Sequence, residues 1–169
     1  MKFPAFLLLF FSVLIATPLS AETIGQDAQA CRTGQGPAIQ VNILGLKDRK
    51  GEIWLELYPA NDTDFLRDDT SLMAEHKTFR RTRGFIPAVG ATSICVRVPH
   101  PGRYALVLRH NRVGKDKFSI WSDGAGVPTN KSLGMRKPTL DKATVDAGNG
   151  LTTLNIKMQY MNGFGFSPL

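Results

Sequence analysis

The sequence predicts an all-β domain, a sandwich of antiparallel strands with a short helical crossover. Three observations predict it. Five segments either alternate apolar and polar residues or run apolar over the length of a strand. Turn residues (Gly, Pro, Asn and Asp) separate them at short intervals. One stretch alone breaks the β pattern, and it carries apolar residues with Asp and Thr at helix-start positions.

The first element is an address. Lys2 supplies a positive start, Phe6 to Ala16 is apolar apart from Ser12, and Leu19-Ser20-Ala21 offers a small-residue cleavage site. A membrane span needs about 20 apolar residues, and this run is shorter. Residues 1–21 are therefore expected to be a signal peptide, and the protein to be secreted and periplasmic, not membrane-spanning. Residues 22–37 read as a polar lead-in that carries Cys31. The chain has two cysteines, and in an oxidising compartment two cysteines usually pair. Cys31 and Cys95 are thus expected to form a disulfide. The loop so closed is worth about 4 kcal/mol by the chain-entropy argument.

The sandwich is expected over residues 38–160. Ile39 to Leu44 puts Ile39, Val41 and Ile43 on one face. Glu52 to Tyr58 puts Ile53, Leu55 and Leu57 on one face and Trp54, Glu56 and Tyr58 on the other. Leu46 to Gly51 between them suits a hairpin. Asp62 to His76 is the non-β stretch and predicts one or two short helices. Thr92 to Val98 alternates again, with Cys95 and Arg97 opposite Ile94, Val96 and Val98. Pro99-His100-Pro101-Gly102 turns the chain into Tyr104 to Leu108, which is apolar on both faces, as a central strand is. Tyr104 stands where a sandwich places a tyrosine corner. Leu151 to Tyr160 reads as the last strand, with Leu154, Ile156, Met158 and Tyr160 inward and Gln159 outward. Weaker candidates are Thr78 to Arg83, Phe118 to Trp121 and Ala143 to Ala147. Residues 161–169, rich in Gly and Phe, read as a flexible tail.

Composition excludes several classes of function. At 43% hydrophobic and 21% charged residues the chain is neither a wholly disordered nor a collagen-like one. Two cysteines exclude a disulfide-dense miniprotein and a four-cysteine zinc site. His76, His100 and His110 have no ligand spacing, and no nucleophile elbow, H-E-x-x-H or P-loop occurs. No catalytic residue and no cofactor is assigned. His110 ends a central strand, where a hydrogen-bonded structural role outweighs a catalytic one. The N-x-S/T matches at Asn61 and Asn130 carry no weight in a chain that reads as bacterial.

The net charge is +7, and the basic residues cluster. The clusters are Lys47, Arg49 and Lys50; Arg80, Arg81 and Arg83; and Arg109, Arg112, Lys115 and Lys117, with Trp121 just beyond. A solvated face accounts for such runs. They also suit an anionic partner: in the envelope a lipid, lipopolysaccharide or glycan, and no nucleic acid. Arg109, His110, Arg112, Lys115, Lys117 and Trp121 are the candidate ligand-binding residues, and one positive patch is expected if the three clusters share a face.

Pro101-Gly102-Arg103-Tyr104-Ala105-Leu106, the loop His110 to Asp116, Gly126-Val127-Pro128, and Gly45-Leu46 through Gly51 to Leu57-Tyr58 together resemble the secreted bacterial family called domain of unknown function 2141. The resemblance covers roughly residues 38–160. It implies an immunoglobulin-like or prealbumin-like sandwich and no established activity. The family's loop resembles a calcium loop. Here Asn111 and Asp116 stand among Arg112, Lys115 and Lys117, and a calcium site needs several carboxylates, so no metal is expected. Two functions remain open: a non-enzymatic binding or scaffold module of the envelope, and an enzyme or enzyme subunit acting on a glycan or lipid through the 109–128 loop.

Overall fold

The computed structural model describes residues 21–33 and 35–169. The signal peptide expected at 1–21 lies outside the described residues apart from Ala21. The elements run β1 (Glu22–Ile24), α1 (Ala28–Thr33), β2 (Ala38–Leu44), β3 (Glu52–Pro59), α2 (Asp69–Ala74), β4 (Arg80–Phe85), β5 (Thr92–Arg97), β6 (Gly102–Asn111), β7 (Gly124–Gly126), α3 (Leu140–Ala143), β8 (Thr144–Ala147), β9 (Leu151–Lys157), β10 (Gln159–Asn162) and β11 (Gly165–Pro168).

Two sheets pack as a sandwich, the larger of them antiparallel in every pairing. The smaller has the order β1-β5-β2-β9, and the larger runs β11-β10-β7-β6-β3-β4 with β8 also on β6. Two pairings, β1 with β5 and β2 with β9, are parallel, where the sequence suggested antiparallel strands throughout. Both join strands distant in sequence, which periodicity cannot order. Alternation works as expected inside. Ile39, Val41, Ile53, Leu55, Leu57, Ile94, Val96, Leu106, Leu108 and Ile156 form one buried core between the sheets. Tyr104 donates its hydroxyl to His100 O at 2.7 Å, a tyrosine corner at the start of β6.

The outer faces are also covered. On the smaller sheet, Cys95 points away from the sandwich core and is bonded to Cys31 of α1, and Ala30 and Ala38 pack beside them. The polar lead-in is therefore part of the sandwich, contributing β1 to its sheet and α1 to its cover. On the larger sheet, the crossover holding α2 lays Leu72 and Phe65 against Tyr58, with Ala105, Val107 and Phe166 in the same cluster. Asp68 caps α2, accepting the Ser71 N–H at 3.0 Å.

Three further expectations need correction. Phe118 to Trp121 is loop and turn, and the strand at this point is Gly124–Gly126. Leu151 to Tyr160 is two strands: β9 pairs with β2 in one sheet, the chain crosses at Met158, and β10 pairs with β7 in the other. The crossing reverses the alternation, so Gln159, expected outward, is buried and accepts the Leu133 N–H. Residues 161–169 are not a loose tail. β10 and β11 make a hairpin, with Phe166 buried on the outer face of the larger sheet. Gly165 sits so close to Gly134 that an added Cβ would lie 2.8 Å from its carbonyl carbon. Among the described residues no helix is long and apolar enough to cross a membrane.

Candidate functional site

The outer face of the larger sheet gathers most of the chemistry. Register sets Trp54 opposite Arg83 on one side and Arg109 on the other, and Glu56 opposite Arg81. The Arg83 and Arg109 guanidinium groups lie 3.9 and 4.7 Å from the Trp54 ring centroid. Glu56 is buried and fully engaged. It accepts the Tyr58 hydroxyl at 2.8 Å, Arg81 Nε–H at 2.8 Å and an Arg109 Nη1–H at 3.2 Å. Burial, with the neighbouring Glu56 carboxylate, pushes the Tyr58 hydroxyl well above its ordinary value.

Beside this group lies a cavity of about 390 Å³. Strand residues Val107, Arg109 and Ala125 form its floor, and loop residues Phe118, Ile120, Leu133, Met135, Arg136 and Lys137 contribute to its walls and mouth. The Arg109 Nε–H is buried and has no hydrogen-bond partner.

The loop after β6 is organised from inside by Asp123, which sequence reasoning did not single out. Its carboxylate accepts the N–H groups of Arg112 and Ser119 and the Ser122 hydroxyl. Arg112 reaches across to the β2–β3 loop, where it pairs with Asp48 and donates to Ser122 O. The Arg112 guanidinium holds the Asp48 carboxyl down at about 2. Among the described residues no three His, Cys, Asp or Glu side chains converge on a metal-sized site.

The six candidate residues therefore separate. Arg109 lies at the cavity floor. His110 is fully buried and offers no ligand-facing surface. Its Nδ1 takes the Tyr160 hydroxyl and its Nε2 faces Lys50 O, each at 2.7 Å, so the imidazole fastens the β2–β3 loop to β10. Arg112 is structural, half-buried in its ion pair with Asp48. Lys115, Lys117 and Trp121 stand exposed, Trp121 at 78%. The three basic clusters do not form one patch. Arg81, Arg83 and Arg109 meet over Trp54, but Glu56 and Asp69 neutralise Arg81. Arg80 turns to Asp27, and Arg49 donates to Pro87 O and Gly90 O.

Burial holds the His110 imidazole below its ordinary value of 6.5, against the opposing pull of Lys50 O, Asp48 and Asp123 and with the help of Arg112. Below pH 6.5 the unfolded chain takes up a proton that the folded imidazole refuses. Stability from this group is thus complete above pH 6.5 and falls on acidification, by about 1.4 kcal/mol per pH unit, until the folded ring protonates as well. NMR of the His110 ring checks this, and titration at or above 6.5 contradicts it.

A family model described as "Uncharacterized protein conserved in bacteria (DUF2141)" matches residues 41–155. No curated protein and no solved structure matches the chain.

Proposed function

The chain belongs to the uncharacterized bacterial conserved family DUF2141, and we propose that it is an exported, non-enzymatic binding module of the periplasm that docks on anionic lipid. One observation carries the reading. The loop after β6 projects Val113, Ile120 and Trp121 into solvent, interleaved with Lys115 and Lys117, and among the described residues neither lysine is in an ion pair. Exposed tryptophan and aliphatic side chains suit the headgroup region of a bilayer, and lysines beside them suit its negative surface. A solvated charge run has no reason to carry a tryptophan exposed at 78%.

The binding reading is favoured over the enzymatic one by the state of Glu56. The cavity's carboxylate already accepts from Tyr58, Arg81 and Arg109, so it is poorly placed to act as a base. The residues lining the cavity include no serine, cysteine or histidine nucleophile.

Sedimentation with phosphatidylglycerol vesicles tests the proposal. Binding is expected at low salt and should weaken as ionic strength shortens the screening length. Each lysine near such a surface is worth about 1 kcal/mol, so Lys115→Ser with Lys117→Ser should weaken binding roughly thirtyfold. No binding at low salt, equal binding to phosphatidylcholine, stronger binding to an acidic glycan, or an unaffected double variant overturns it.

A further inference from the structure

The cavity on the outer face of the larger sheet is a second feature; it shares Phe118 and Ile120 with the exposed loop, but the docking proposal does not need it. Its volume of about 390 Å³ falls within the range of small-molecule sites, about 300–1,000 Å³. Its body is apolar: Val107, Phe118, Leu133, Met161 and Phe166 come from strands and loops far apart in sequence and converge on one space. Its charges are arranged by depth. At the floor Arg109 is matched by Glu56, so that end is neutral overall. At the mouth Arg136 and Lys137 are exposed, and among the described residues no ion pair holds either. An apolar interior beneath an unmatched pair of cations fits one class of ligand.

We propose that the cavity binds a single amphiphile, its alkyl or aryl body against the apolar walls and its anionic head, a carboxylate or a phosphate, at Arg136 and Lys137. A cationic head meets repulsion at the mouth. A wholly polar ligand gains nothing from the walls and must desolvate to enter. The site takes a dissolved molecule one at a time, so it is separable from adsorption to a bilayer.

The test is titration calorimetry with octanoate, decanoate and dodecanoate below their micelle concentrations, with dodecyl phosphate to set phosphate against carboxylate and dodecyltrimethylammonium as the cationic control. Affinity should rise about fourfold per methylene until the cavity is filled, the equivalent of about 0.8 kcal/mol for each buried CH₂. Arg136→Gln with Lys137→Gln, on the surface, should weaken the anionic chains roughly tenfold. Ala125→Leu, which fills the floor, should abolish binding with the fold intact by circular dichroism. Affinity independent of chain length, equal binding of the cationic chain, or an unaffected Arg136/Lys137 variant overturns the proposal. Binding of these chains by a protein that ignores vesicles removes the docking reading alone. Vesicle binding with no heat from any chain removes the cavity site alone.

Discussion

Replacing Cys31 and Cys95 together by alanine should lower unfolding stability by about 2–5 kcal/mol, the usual cost of losing a native disulfide. The bond spans 64 residues of sequence, and closing a loop of that length in the unfolded chain costs about 4 kcal/mol of entropy when the bond is present. It also has a local task. Among the described residues α1 is short, and its buried face is Ala30 and Cys31 against Ala38 and Cys95. One alanine and a half-cystine bury too little apolar area to hold a helix of six residues on a sheet. Without the bond, α1 should leave the smaller sheet first, and β1 with it, because β1 adds only three residues of parallel pairing to β5. Urea unfolding measures the total. Hydrogen exchange of residues 22–33 shows the local part. A loss under about 1 kcal/mol, or two titratable thiols in protein taken from an oxidising compartment, contradicts the assignment.

Glu56→Gln should cost about 3 kcal/mol. Breaking a buried ion pair by removing one partner typically costs about 3–5 kcal/mol, because the remaining charge stays buried and uncompensated. Glu56 has two such partners. Arg81 keeps Asp69, and its side chain is 20% exposed, which relieves part of the cost. Arg109 is 11% exposed and loses its only carboxylate among the described residues. The larger share of the penalty should therefore fall on Arg109. A double-mutant cycle separates the two. Adding Arg109→Met to Glu56→Gln should recover much of the loss, and adding Arg81→Met should recover less. A Glu56→Gln variant within about 1 kcal/mol of wild type contradicts the picture of a buried, saturated carboxylate.

Much of the sandwich was legible because its central strands obey the two-residue period. Ile53, Leu55 and Leu57 in β3, Ile94 and Val96 in β5, and the doubly apolar β6 announced themselves. What was hidden depends on contacts between distant segments. β7 reads Gly-Ala-Gly, with nothing in it that favours a strand. Those glycines answer to close approach: a Cβ on Gly124 would lie 2.4 Å from the Tyr160 ring, and one on Gly126 would lie 2.6 Å from Ile156. Glycines near a C-terminus favour looseness when taken alone, whereas Gly163 and Gly165 shape the hairpin that buries Phe166.

The candidate site was half legible for the same reason. Exposed Lys115, Lys117 and Trp121 could be found by scanning for charge beside an aromatic residue. His110 and Arg112 belong to the same run of residues, yet burial and Asp48 make them structural. The cavity was invisible in the sequence. Its walls come from β6, the 118–120 and 133–138 segments and β11, each of them unremarkable alone.

The measurement that bears most directly on the central claim is the emission of Trp121 in the presence of vesicles. Trp54 is buried and Trp121 is 78% exposed, so Trp121 is the tryptophan whose surroundings a docking event changes. With phosphatidylglycerol vesicles at low salt its emission should shift to the blue and become shielded from an aqueous quencher, and salt should reverse both changes. Protein that sediments with those vesicles while Trp121 remains as red and as quenchable as in buffer contradicts the assignment of the 113–121 loop as the docking surface.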